Sequence, residues 1–180
     1  MTSIETLYLK DVPDQFRKLK VLADRAVAQV RDEDLFAPLD PGAAESNSLA
    51  VLLQHMGGNL RSRFADFLTS DGEKPDRDRD SEFEVRPETT RTDLLALWEE
   101  GWSTLFNALA GLTEGDLAKT VTIRAEPHDV VRALDRALSH AAYHTGQIVL
   151  LAKHFAAAGW NNLSVPKGGT VAFNERMFGR

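Results

Sequence analysis

Residues 139–151 read SHAAYHTGQIVLL, and this stretch decides how the chain is to be read. It continues a stripe of Val130, Leu134, Ala137, Ala141, Ile148, Leu151 and Phe155, spaced three or four residues apart. That spacing is the period of an amphipathic helix, predicted over about 128–158. His140 and His144 lie four residues apart on it, about 40° apart around the axis at about 100° per residue. Both imidazoles therefore leave one face, with His144 inside the apolar stripe, His140 at its edge, and Gln147 one turn further along. Two such nitrogens can converge on one ion, or can be a half-buried pair satisfied by hydrogen bonds. A catalytic zinc-type site needs a third protein ligand from elsewhere in the chain.

Working outward, three more helices share this pattern. Phe16, Leu19, Ala23, Ala26 and Val30 form a seam over about 12–31, with Asp11 as a plausible N-cap. Leu49, Leu53, Met56, Leu60, Phe64 and Phe67 mark a second helix over about 48–69, after the turn-rich DPGAAESNS at 40–48, where Ser46 or Asn47 can cap it. Gly57 and Gly58 interrupt its middle, as a close helix crossing, cofactor access or plain tolerance would allow. Leu94, Leu95, Trp98, Trp102, Leu105, Phe106 and Leu109 mark a third helix over about 90–110. Between the second and third helices lies a polar, mixed-charge stretch, 70–88. It reads either as a lid or pocket wall presenting Lys74, Arg77 and Arg79, or as an internally paired solvated loop. KTVTIRAE (119–126) alternates weakly, as a short extended piece would. Residues 159–180 read as an irregular tail anchored by Trp160, Leu163, Val165 and Phe173, docked on the bundle or on a partner subunit near the metal-site end of the second and fourth helices, or simply packed. The expected fold is all-α, a four-helix bundle in one domain over 1–180.

Composition sets outer limits. The chain has 180 residues, 21 basic and 27 acidic, with a formal charge of −6. Such a balance argues against a general nucleic-acid binder. With no cysteine there is no disulfide, thiolate ligand or cysteine nucleophile, so a metal must use histidine and oxygen. No apolar run approaches a membrane span and the first residues do not resemble a signal peptide, so a cytoplasmic protein is expected. The apolar surplus of the third helix suggests a homodimer.

Three segments resemble the DinB-like (YfiT-like) four-helix-bundle superfamily, in a branch of unknown function. They are SNSLAVLLQHMGGNLRSRFADFLTSDGEKPDRDRDSEF (46–83), LWEEGWSTLFNALAGLTEGDL (97–117), and LSHAAYHTGQIVLLAKHF (138–155) with the following WNNLSVPKG (160–168). In that superfamily one histidine of the second helix and a His-x-x-x-His pair of the fourth bind a divalent metal. The resemblance thus implies His55, His140 and His144 as metal ligands, with zinc or nickel the fitting ions. Better-understood relatives activate the thiol of a small cofactor. The implied function is a metal-dependent enzyme of thiol-transferase or hydrolase type acting on a small molecule. The alternative is a non-catalytic, dimeric, metal-binding bundle. Periodicity by itself places His55 well off its helix's apolar stripe, on the surface, and the resemblance reverses that. Asn59, Gln147 and Asp135 are candidates to orient the imidazoles. His128 and His154 read as solvated, and no catalytic base is identified.

Overall fold

The computed structural model describes residues 1–43 and 46–179, so residues 44 and 45 of the expected 40–48 turn lie outside the described residues. The described residues are mostly helical, with six α-helices and one small sheet. The helices are α1 (Ile4–Val27), α2 (Asp32–Leu35), α3 (Leu49–Phe64), α4 (Arg91–Ala110), α5 (Val130–Ala156) and α6 (Thr170–Phe178). β1 (Thr120–Ile123) and β2 (Glu126–Asp129) pair antiparallel. No helix among the described residues is long and apolar enough to cross a membrane.

Four long helices build the body. α3 packs along α4 and α1 along α5, while α3–α5 and α1–α4 contacts close the ring. Side-chain partners give the directions. Asp24 accepts from Trp98 Nε1 at 2.8 Å and Arg91 reaches back to the Val27 carbonyl at 2.7 Å, while Phe16 meets the Trp102 ring, so α1 and α4 are antiparallel. Gly57 meets Leu97 and Arg61 meets Glu100, so α3 and α4 run parallel. Tyr8 donates to Asp135 at 2.7 Å, whereas Arg25 donates to the carbonyl of Leu163 beyond the end of α5, so α1 and α5 run parallel. Parallel neighbours cannot be joined by a tight turn. A 16-residue helix is about 24 Å long, and the chain between α3 and α4 must travel back over that length. This is the physical reason for the long polar connection, which crosses the flank of α3 on its way.

Several boundaries differ from the sequence reading. α1 begins eight residues earlier than expected, because Ser3 and not Asp11 caps it by accepting from the Thr6 N–H at 3.0 Å. Tyr8 then ties the first turns to α5. Ser48 caps α3 and Asp66, at φ 49°, follows its end, so α3 stops at Phe64. The weakly alternating 119–126 stretch becomes β1, and its partner β2 was hidden by Pro127. The two-residue turn between them places Arg124 and Ala125 at φ 55° and 61°, a left-handed pair for which Asn-Gly is the usual choice. Asp71 compensates by accepting the Arg124 and Ala125 N–H groups at 2.9 and 2.8 Å, besides that of Glu73 at 2.7 Å. Backbone donors, that of Glu73 first, hold its carboxyl down at about 2.

Leu94, Trp98, Trp102 and Leu105 of α4 are all buried in the core, so the apolar surplus expected to mark a dimer face is largely taken up within the chain. The tail docks, and of the two expected modes it shows the simple packing. Asn161 exchanges two hydrogen bonds with Gln29, and Trp160 and Leu163 pack on the core at the C-terminal ends of α1 and α5. Nor is the tail wholly irregular, since it ends in α6 between Gly169 and Gly179.

The glycines Gly57 and Gly101 set the α3–α4 approach. A Cβ on Gly101 would stand 2.6 Å from the Gly57 carbonyl oxygen, and one on Gly57 would stand 2.7 Å from that of Leu97. Gly101→Ala must push two backbones apart and is expected to destabilise the fold by about 1–3 kcal/mol, the usual scale of overpacking. Ala125→Gly should act in the opposite direction, stabilising by about 0.5–1 kcal/mol by relieving a left-handed alanine. Urea denaturation of both variants against the parent checks the pair of signs.

Candidate metal centre

α5 starts where Asp129 accepts the Arg132 N–H at 2.7 Å, and its apolar stripe seats the helix on α1 and α3. His144 is buried and His140 half-buried on that face. His55 projects from α3 and is only 4 % exposed. Periodicity places it on the surface because it assumes that the side away from the core meets water. Here the returning connection covers that side. A short 3₁₀ turn, Asp80–Phe83, packs on α3, and Gln54 Nε2 donates to the carbonyls of Ser81 and Glu84 at 2.9 and 3.1 Å. Phe83 lays its ring on His55 with 4.9 Å between centroids.

The three imidazoles meet through their Nε2 atoms. His55 Nε2 stands 3.4 Å and His144 Nε2 3.1 Å from His140 Nε2, and one nitrogen from each residue lies within 4.8 Å of the other two. The opposite nitrogens of two rings are occupied. His55 Nδ1 lies 2.8 Å from Glu82 Oε2, and His144 Nδ1 lies 2.7 Å from Gln147 Oε1. A carboxylate only accepts, so His55 carries its proton on Nδ1; an amide oxygen fixes His144 the same way. Both Nε2 atoms are then bare lone pairs aimed at one spot. His140 can place at most one proton between them, so the cluster cannot satisfy itself by hydrogen bonding. A buried unpaired acceptor costs about 1–3 kcal/mol, and a cation among the three nitrogens removes that cost.

The electrostatics agree. Burial, then the neighbouring His144 and His55, push His140 down to about 3, and burial likewise lowers His144. His140 and His144 are therefore neutral at neutral pH, the state in which imidazole binds a metal. Burial opposes ionisation of Glu82, but hydrogen bonds from His55 and Arg77 outweigh it and hold the carboxyl below its ordinary range. Arg77 grips Glu82 with two bonds, Nε to Oε1 at 2.7 Å and Nη2 to Oε2 at 2.8 Å. Gly58 makes the room, since a Cβ there would stand 2.5 Å from Glu82 Oε1.

Of the residues expected to orient the ligands, Gln147 does bond His144, and Asn59 lines the adjacent cavity. Asp135 does neither; it is turned to Tyr8 on α1. Glu82 was not foreseen, because it sits in a stretch whose composition reads as solvated. Its one available signal is Phe83, the lone large apolar residue of 70–84, which marks a docking point. His128 is also not solvated. It is 3 % exposed within β2, with Nε2 3.2 Å from Arg136 Nη1. His154 is exposed, as expected.

A cavity of about 180 Å³ opens beside His55 and His140, on the side of the cluster facing the C-terminal half of α3 and the first turns of α5. Arg77 and Arg79 of the connection form part of its wall, while Lys74 turns its Nζ to the Asp71 carbonyl at 2.7 Å instead. Both earlier readings of the loop are therefore partly right, since it is internally paired and it also bounds the cavity.

Partners of this kind commonly change metal affinity by about 10–100-fold. Glu82→Gln is expected to weaken metal binding on that scale without abolishing it, and Gly58→Ala to act in the same direction by displacing the carboxylate. Competition against a chromophoric chelator, on protein shown to be folded by circular dichroism, measures both; affinities equal to wild type would contradict the assigned role.

Among curated proteins none matches this chain. One family match spans residues 3–169, taking in His55, Glu82, His140 and His144. The chain belongs to the family described as "Protein of unknown function (DUF1572)".

Proposed function

We propose that His55, His140 and His144 hold one divalent metal ion and that the site serves a metal-dependent enzyme acting on a small molecule, of thiol-transferase or hydrolase type. The observation that carries this is the convergence of three imidazoles on one point, with two of them held by Glu82 and Gln147 in the tautomer that leaves Nε2 free. Zinc and nickel both suit such a donor set. A divalent ion there supplies a Lewis acid that makes a thiol or a water molecule more acidic near neutral pH. The chain's own residues do the remaining tasks. Glu82 and Gln147 fix ring orientation, Arg77 holds Glu82, and the cavity beside His55 and His140 gives a small molecule a way in. The resemblance of residues 46–83, 97–117 and 138–155 to the DinB-like superfamily supports the same ligand set and a bundle of that type.

A second reading, an ion that only staples α3 to α5, draws on the burial of His55 and His144 on two different helices. The cavity at the His140 side favours the catalytic reading, because a purely structural site has no need of access.

Elemental analysis tests the ligand set. Wild-type protein should carry one ion per chain and His144→Ala should lose most of it; equal content in the two would reject the site. Chelation should also lower the melting temperature of the wild type, since an ion bound only by the folded state stabilises it. The same chelation should leave His144→Ala unchanged.

A further inference from the structure

The cavity beside the histidines has a second property, separate from the imidazoles. Five arginines line it: Arg63 of α3, Arg77 and Arg79 of the connection, Arg124 of the hairpin turn and Arg136 of α5. They come from four parts of the chain, and among the described residues no carboxylate lines the cavity with them. In a protein with a formal charge of −6 this is a local reversal of sign.

The nearby acids do not neutralise it. Glu73 is shared among Arg63, Arg77 and Arg124, at 3.3, 3.1 and 3.3 Å. Glu82 is committed to Arg77 and His55. Glu126 approaches Arg136 no closer than 3.9 Å and is more than half exposed. Asp80 stands 3.8 Å from Arg79 and is almost fully exposed. Of the acids paired with the five arginines, only Glu73 and Glu82 are mostly shielded from solvent. Arg63 shows the shortfall most plainly. Its Nη1 is buried with no hydrogen-bond partner, and burial, together with Arg77, Arg124 and Arg136, pulls its guanidinium down to about 10. Buried guanidinium donors without an acceptor are rare, because each forfeits its hydration. Arginine's planar fork is suited to the two oxygens of a carboxylate or phosphate.

The remaining wall is apolar, made by Phe64, Phe67 and Ile123. At about 180 Å³ the cavity is smaller than the roughly 300–1,000 Å³ typical of drug-sized ligands. It has room for an oxyanion and a short apolar stem, with the stem's other side toward His55 and His140.

We propose that this cavity binds the oxyanion end of a small organic acid or phosphate ester, so that the substrate of the three-histidine site is an anionic small molecule held by Arg63, Arg124 and Arg136. This rests on the metal-site reading for what happens to the substrate, but not for the binding itself. Arg77 and Arg79 contribute positive charge while keeping their contacts to Glu82 and the Phe83 ring.

Isothermal titration of the full chain tests it with three probes: butyrate, its neutral counterpart butyramide, and inorganic phosphate. At least one of the two anions should bind wild-type protein, with butyramide weaker by roughly tenfold or more, the scale of a charge-assisted hydrogen bond. Which anion binds more tightly tells a carboxylate site from a phosphate site. Arg63→Gln should weaken the anion by a similar factor. Arg124→Gln, at a half-exposed side chain, gives a second variant should the first not fold. Arg17→Gln, on the outer face of α1, should change nothing. His144→Ala separates the two readings, because it should lose metal and retain anion binding. The proposal is overturned if neither anion binds, if butyramide binds as well as the tighter of the two anions, or if the arginine variants bind as well as wild type. An absence of metal from the wild type, with anion binding intact, would reject the metal site alone.

Discussion

The carboxylate of Glu82 is the point on which the site depends. It lies 7 % exposed against α3, receives two bonds from Arg77, and accepts a hydrogen bond from His55 Nδ1–H. That single acceptance decides which nitrogen of His55 is free and where the ring points. A buried carboxylate is tolerable only because a guanidinium and an imidazole share its charge. Glycine at position 58 lets it approach the helix. Remove the carboxylate and Arg77 becomes a buried charge with Glu73 as its remaining ionic partner among the described residues, while His55 loses its fixed tautomer.

This explains why a long connection exists and what it contributes. The parallel arrangement of α3 and α4 requires a return path, and the close approach at Gly57 and Gly101 fixes those two helices as one unit. The return path is pinned at both ends of its course. Ser62 donates to the Gly72 carbonyl at 2.9 Å, Asp71 caps the hairpin turn, and Gln54 holds the 3₁₀ turn that carries Glu82. Topology thus delivers the orienting carboxylate, two cavity arginines and the cover over His55 in one segment. Loops placed by a rigid scaffold are a usual location for such groups.

How far the sequence could be read follows from what periodicity measures. His140 and His144 were legible because four residues on a helix is a local geometry that tertiary structure does not alter. The four long helices were legible for the same reason, their apolar stripes being strong. His55 was not legible from its own helix, since a wheel shows only two faces and α3 is covered on a third. Only the resemblance of LLQHMGGN to other sequences reversed that reading. Glu82 was invisible because a polar segment reads as solvated until it is known to lie on a helix. The hairpin was missed because Arg-Ala occupies a turn that usually advertises itself as Asn-Gly, with Asp71 supplying from elsewhere what glycine would supply locally. His128, beside a proline, was assigned to solvent and is instead packed under Arg136.

In the proposed centre three imidazole nitrogens, from α3 and α5, form the inner sphere of one ion. X-ray absorption at the edge of the metal that copurifies with the protein tests it most directly. The spectrum should show the multiple-scattering pattern of three imidazole rings, reduced to two in His55→Ala. An inner sphere of oxygen alone, or a spectrum unchanged by His55→Ala, would contradict it.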